Sequence, residues 1–324
     1  MRILVAHPWS DPNASWDIAV EHLPGWDLRV CRGDDILANL DGVDVLVPMP
    51  NAVTAEIIEA GSFGLIQQYG VGLERVDVEA ATTHGVWVAR LPAGLTGNAD
   101  SVAEMAVAQI LMAIRRMDES RAAVATGWWQ PISASLLGST VAIVGLGAIG
   151  TAVAQRLAGF GCRMIAVRAH PEAGGPPSVD RVAGPDELYD VLGQADVVIC
   201  SAMASAATRH LFDATAFAAC KPGAIFVNVA RGVMVDDPAL LAALDSGRIS
   251  WAGLDVFQQE PIGPDHPFAR HPRVIATPHI GGLTHSMLAK SSELFGANVA
   301  RWHRGEEPLW AVNSPQHPRR GPRH

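Results

Sequence analysis

The sequence predicts an α/β protein made of two doubly wound, Rossmann-like parallel-sheet domains, one of them discontinuous. Three observations predict it. Short β-branched runs alternate with helix-length segments from residue 2 onward, a second such series opens at residue 140, and two long helical patterns flank that second series.

The first series runs RILVA, a polar loop, WDLRVCR, DVLVPMP, GLIQQYGVG and GVWVAR. Strands spaced by helix-length segments imply a parallel sheet with covering helices. From Asn98 one long helix is expected, with Val102, Met105, Ala106, Gln109, Ile110 and Ala113 on one face and a capping box from Ser101 and Glu104. A Gly-Trp-Trp-Gln-Pro segment follows at 127–131. Then come six strands, in TVAIVGLGAIG, RMIAVR, DVVICS, AIFVNVA, WAGLDVF and VIATPHI. These six and their helices make a second doubly wound unit over 98–284. The segment 286–305, SMLAKSSELFGANVARWHRG, reads as another long helix that returns to the first unit. That unit is therefore expected to comprise 1–97 plus 285–324, with the two long helices as the crossover. No internal repeat of solenoid period and no low-complexity linker is present.

With 49% hydrophobic and 18% charged residues in 324, the chain has enough apolar content for two ordinary cores. No apolar run reaches the ~18 to 20 residues of a membrane span, and Met-Arg-Ile-Leu-Val-Ala-His-Pro reads as a first strand in place of a signal peptide. A cytoplasmic protein is expected. Cys31, Cys162, Cys200 and Cys220 form no C-x-x-C pair and lie in or beside apolar segments, so buried thiols are expected, without disulfides or a metal site. A net charge of −9 argues against nucleic acid as a partner, and Arg319, Arg320 and Arg323 read as a frayed terminus.

Val141 to Val144 is an apolar strand that passes directly into Gly145-Leu146-Gly147-Ala148-Ile149-Gly150 and then a helix, TAVAQRLAGF. In G-x-G-x-x-G the first glycine permits the tight turn, the second lets the backbone approach a pyrophosphate, and the third allows close helix-to-strand packing. The helix N-terminus stabilises the anion. A bare glycine-rich turn is the alternative, but strand, helix and next strand all fall at the spacing of a dinucleotide site. Such a site that takes NAD ends its second strand, about 20 residues on, with Asp or Glu for the ribose. Here Arg168 stands 23 residues after Gly145. A carboxylate would repel a 2′-phosphate, whereas a guanidinium grips it in a two-pronged contact. Arg168, with His170, therefore argues for NADP. An arginine that stacks on adenine or faces solvent, with NAD still accepted, is the alternative.

Three polar residues stand just past later strands: Arg231 after AIFVNVA, Glu260 in VFQQEP and His279 in TPHIGG. Open α/β sheets bind ligands at those strand ends. Each alone could be structural. Together they supply an anion clamp, an acid/base and its partner.

GLGAIG (145–150), NVARG (228–232), GLDVF (253–257), Glu260-Pro261 and PHIGG (278–282), with GVG at 70–72 and NADSVAE at 98–104, resemble the motif set of the D-isomer-specific 2-hydroxyacid dehydrogenases over essentially the whole chain. The resemblance implies that 1–97 plus 285–324 is a flavodoxin-like substrate domain and 98–284 the dinucleotide-binding domain. It implies that Arg231 holds the carboxylate of a 2-oxo acid, that His279 is the acid/base and that Glu260 is its partner. These roles make physical sense: a guanidinium fork matches a carboxylate, and a carboxylate beside the ring favours imidazolium, which suits reduction. The resemblance further implies substrate contacts from the Val71 and Gly72 N–H groups and from Asn98. On the cofactor side it implies Val102 against the nicotinamide, Asp255 by the carboxamide, and Thr208, Ala230 and Gly281 around it. A turn at Gly70 and Gly72, a helix start at Asn98 and a buried cap at Asp255 are the plain alternatives. No metal is implied.

The chain departs from the family where CSAMASAAT (200–208) replaces the usual L-H-x-P-L-T, leaving Thr208 in place, and where Met105 stands for a common histidine. Glu260 argues against the formate-specific branch, which pairs its histidine with glutamine. The leading expectation is an NADP-preferring reductase of a small 2-oxo acid such as glyoxylate or hydroxypyruvate. Phosphoglycerate oxidation is the rival within the class, although the chain ends about 20 residues past its last helix, without the regulatory domain some of those enzymes append. A nucleotide-sensing binding protein like the corepressors of this fold is the rival outside it, disfavoured by an intact Arg231, Glu260 and His279. The resemblance also implies a homodimer formed through the glycine-loop domain, to which Trp128 and Trp129 could contribute.

Overall fold

The structure, a computed structural model, describes residues 1–7, 25–127 and 132–319. Trp128, Trp129, Arg320 and Arg323 lie outside the described residues. The chain divides into two compact units, Met1–Asn98 with His285–His324, and Ala99–Thr284.

In the first unit β1 (Arg2–His7), β2 (Asp27–Arg32), β3 (Val45–Val47), β4 (Leu65–Gln68) and β5 (Trp87–Arg90) form one parallel sheet in the order β2-β1-β3-β4-β5. Side chains alternate between its faces. Ile3, Val5, Val45, Val47, Leu65 and Ala89 pack with Phe295, Val299 and Trp302 of the helix His285–His303. Leu4, Ala6, Leu46, Ile66 and Val88 face the other way, over Ile57 and Ile58 of the helix Ala55–Ala60 and Ala81 of Val78–Thr83. Both faces are covered, which is why these strands read as unbroken apolar runs.

In the second unit β6 (Thr140–Val144), β7 (Arg163–Val167), β8 (Arg181–Ala183), β9 (Val197–Cys200), β10 (Ala224–Asn228), β11 (Ile249–Leu254) and β12 (Val274–Ala276) form a parallel sheet in the order β12-β11-β10-β9-β6-β7-β8. The chain starts at β6, winds outward to β8, then returns to β9 and winds the other way. The switch point, where such sheets bind their ligands, therefore lies at the carboxyl ends of β6 and β9. Phe226 packs edge-on against Phe212 and Phe217, with ring centroids 4.8 and 5.2 Å away.

Two expectations are corrected. The sheet has seven strands where the sequence suggested six; β8 has only three residues, too few to register as a periodic run. The long helix begins at Asn98, where it was expected, after Gly97 at φ 74°, but Ser101 and Glu104 lie inside it and form no capping box. Ser101 instead shares a 2.9 Å hydrogen bond with the Thr284 hydroxyl, and Glu104 pairs with Arg156. All four cysteines are free, and burial pushes the Cys31 and Cys220 thiols up to about 11 and Cys200 to about 12. Among the described residues no helix is long and apolar enough to cross a membrane, and no cluster of His, Cys, Asp or Glu could hold a metal.

Candidate active site

The glycines of the loop after β6 separate by cause. Gly145 has φ 100°, and a Cβ there would sit 2.3 Å from the Ala202 backbone; at Gly150 it would sit 2.0 Å from the Gly145 carbonyl oxygen. The fold itself demands those two. Gly147 has φ −85° and nothing within 4 Å of a Cβ, so neither conformation nor packing requires it, which leaves room for an approaching ligand. It precedes the helix Ala148–Leu157, whose first turn carries no side-chain cap. The N–H groups of Ala148 and Ile149 thus stand at the positive end of a helix beside open space, which fits a pyrophosphate. The loop is fixed from below: Gly145 N–H donates to Val167 O at 2.8 Å, and the buried Ser201 hydroxyl donates to Gly145 O at 2.7 Å. Ser201 belongs to the stretch that departs from the family pattern, and its work on the loop was not foreseen. Thr208 closes its own turn, accepting from Ser205 N–H at 2.8 Å and donating to Met203 O at 2.9 Å. Val102 is buried in its helix.

Arg168 directly follows β7. Its Nη1 donates to Gly174 O at 2.7 Å and its backbone N–H to Ala183 O at 3.1 Å, and among the described residues it has no carboxylate partner. The guanidinium is thereby oriented while most of its N–H groups stay available. His170 is exposed and lies 3.3 Å from Glu172.

His279 Nδ1 is 2.7 Å from Glu260 Oε2, while Glu260 Oε1 accepts from Phe257 N–H at 2.9 Å. Burial pushes the Glu260 carboxyl up, but the hydrogen bond and charge of His279, the Phe257 N–H and the Arg231 guanidinium outweigh it and hold the group below the usual carboxylate range. Arg231 follows β10, with its Nη1 donating to Ala230 O at 2.8 Å. Fully buried Asn228 braces that turn: its amide donates to Arg231 O at 3.0 Å and its carbonyl accepts from Ala230 N–H at 3.0 Å. Gly232 lets the turn rest on the Phe257–Gln258 backbone, where a Cβ would come within 1.8 Å of Phe257 C. The loops bearing Arg231 and Glu260 are therefore packed together.

Asp255 carries the loop of His279. One carboxylate oxygen accepts from the Thr277 hydroxyl at 2.6 Å and Ile280 N–H at 3.0 Å, the other from Gly281 N–H at 2.8 Å. Gln109 donates to Thr277 Oγ1 at 3.0 Å and extends the network into the long helix. Burial raises the Asp255 pKa above its ordinary value, opposed by those three hydrogen bonds and by His279. The structure thus engages Asp255 as a clamp on residues 277–281. Gly281 is required because its Cβ would lie 2.7 Å from Asp255 Oδ2.

Of the residues singled out by sequence, Arg231, Glu260 and His279 come together in the second unit, with Asp255, Ala230 and Gly281 as their supports. Val71, Gly72 and Asn98 belong to the first unit. There the N–H groups of Val71 and Gly72 have no partner among the described residues, and Asn98 N–H donates to the Thr96 hydroxyl at 3.3 Å. Sequence reasoning missed Asn228, Thr277, Gln109 and Ser201. Asn228 left a signal, since it is the one amide at the end of an otherwise apolar buried strand.

Comparison with known proteins adds context. The model of the D-isomer specific 2-hydroxyacid dehydrogenase NAD binding domain matches residues 107–281. The glyoxylate reductase of Thermococcus litoralis is 34% identical over 292 residues, covering 86% of this chain and 86% of that protein. The D-3-phosphoglycerate dehydrogenase of Mycobacterium tuberculosis is 37% identical over 274 residues; the match takes in 82% of this chain but only about half, 50%, of that longer protein. Among solved structures, the NADPH-dependent glyoxylate/hydroxypyruvate reductase of Sinorhizobium meliloti, in complex with NADP and malonate, superposes with a TM-score of 0.81 at 28% identity, covering 100% of this chain and 99% of that one.

Proposed function

The chain belongs to the D-isomer-specific 2-hydroxyacid dehydrogenase family, and from that premise we propose that it reduces a small 2-oxo acid, glyoxylate or hydroxypyruvate, with NADPH preferred over NADH. The observation that carries the reading is the 2.7 Å His279–Glu260 hydrogen bond with the Arg231 loop packed against the Glu260 loop.

In this reading the residues act as follows. Arg231 takes the substrate carboxylate in a forked, charge-assisted contact and polarises the adjacent carbonyl. Because Nδ1 of His279 is engaged by Glu260, the proton leaves from Nε2 and goes to the carbonyl oxygen. Glu260, held ionised, favours the imidazolium that must give that proton. Asp255 fixes the loop so that the ring does not drift. When bound, the reduced nicotinamide would supply the hydride to the carbonyl carbon; with the proton from His279 a 2-hydroxy acid forms, and the imidazole is reprotonated from solvent. Gly147 and the first turn of Ala148–Leu157 would hold the pyrophosphate, and Arg168 the 2′-phosphate, with His170 beside it. Val102, Thr208 and Ala230 complete the proposed cofactor wall. A homodimer in the cytoplasm belongs to the same reading.

The test is oxidation of NADPH and NADH with glyoxylate and hydroxypyruvate, with His279→Ala as control. Turnover favouring NADPH by tenfold or more, lost in the variant, is the expected result; turnover with NADH alone would remove Arg168 from its role. A second reading, oxidation of 3-phosphoglycerate, is favoured by the 37% identity to the mycobacterial enzyme, and this substrate belongs in the same panel.

A further inference from the structure

At the carboxyl ends of β4 and β5, the turn Gly70-Val71-Gly72-Leu73 has three successive carbonyls that each accept a hydrogen bond. Leu91 N–H donates to Gly70 O at 3.1 Å, Arg90 Nη1 to Val71 O at 3.3 Å, and Gln68 Nε2 to Gly72 O at 2.7 Å. These peptides are trans, and in a trans peptide the carbonyl and the following N–H point in opposite directions. The N–H groups of Val71, Gly72 and Leu73 are therefore all turned away from the groups that hold the carbonyls, and among the described residues none has a partner. Gly70 adds to the opening: its φ is not positive and a Cβ there would meet nothing within 4 Å, so no feature of the fold requires glycine. Consecutive N–H groups left unpartnered in one turn are the donors of an anion-binding nest.

The two side chains beneath the nest differ in charge. Gln68 and Arg90 are register partners on adjacent strands. Gln68 is buried and fully engaged, donating also to Met49 O at 2.7 Å and accepting from Tyr69 N–H at 3.0 Å. Arg90 is half-buried and has no carboxylate partner among the described residues. A cation on the Val71 carbonyl polarises that peptide and makes the Gly72 N–H a stronger donor to an anion.

We propose that Arg90 is a positioning residue for the substrate carboxylate, orienting and charging the Val71–Gly72 peptide, with Gln68 as its neutral counterpart and Leu73 N–H as a third donor. This rests on the 2-oxo acid reading, which supplies the anion. Arg90→Met and Arg90→Lys in the full chain test it. Arg90→Met is expected to raise KM for glyoxylate and Kd for oxamate, a non-reacting carboxylate, by about tenfold, with kcat within twofold and NADPH affinity unchanged; Arg90→Lys should recover most of the loss. A KM and an oxamate Kd within twofold of the wild type in Arg90→Met, or an equal loss of NADPH affinity, would overturn the proposal. Should the wild type turn over no 2-oxo acid, the functional reading falls, but oxamate titration still decides this one: binding weakened in Arg90→Met sustains the nest, and binding that is absent or unaltered ends it.

Discussion

His279 holds φ 54°, a left-handed conformation that costs an L side chain roughly 1 kcal/mol or more. Asp255 compensates by accepting from both residues that follow it, Ile280 and Gly281. Asp255→Asn, which turns one acceptor into a donor, should lower kcat about tenfold or more and lower the unfolding temperature, as steady-state kinetics and calorimetry would register. Glu260→Gln should lower kcat for reduction about tenfold or more in steady-state kinetics, because the ring loses the anionic partner that orients it. Stability has its own sign. Because the folded Glu260 pKa is depressed, its contribution is present above the ordinary carboxylate range and is lost as pH falls through the lower folded value. Glu260→Gln should therefore flatten the acid side of the stability curve there. The residues proposed to react could be singled out in sequence as polar side chains placed just after apolar strands. What Asn228 and Thr277 brace was not legible, because a buried polar side chain does not announce in sequence which groups it satisfies.

The glycine loop allows two roles to be separated at the level of an element. Gly147→Ala should fold with an unfolding temperature close to that of the wild type yet bind NADPH at least tenfold more weakly, since only a ligand uses that space. Gly150→Ala drives a methyl to 2.0 Å from Gly145 O and should destabilise the protein by ~1 to 3 kcal/mol or more, whether or not cofactor is present. Chemical denaturation beside fluorescence titration distinguishes the two; equal loss of stability in both variants would sink the assignment. Elements were readable where they were long and apolar. The seventh strand escaped because three residues carry no period, and a capping box was misread in the long helix because Ser101 and Glu104, one turn inside it, mimic one.

On the scale of the whole molecule, the two units should answer a ligand differently. Cofactor at a hundred times its Kd adds ~2.7 kcal/mol to whatever binds it, which for a unit this size is roughly 5 to 10 °C in the unfolding transition. Calorimetry with NADPH should shift the transition of Ala99–Thr284 by that amount, and an unmoved thermogram would argue against a cofactor site there. In sequence the expected division was readable from two long helical patterns that flank one complete strand series. How the first unit finishes its core was not, because it depends on Phe295, Val299 and Trp302 packing beside Ile3 and Val5, contacts far apart in sequence.

That separation sets an order of events at birth. On a ribosome working at ~5 to 20 residues per second, the inserted unit takes roughly 10 to 40 s to emerge after Asn98. Throughout that interval the face around Val45, Val47 and Leu65 lacks the cover that Phe295, Val299 and Trp302 give it. The part of the protein made first is thus the part completed last.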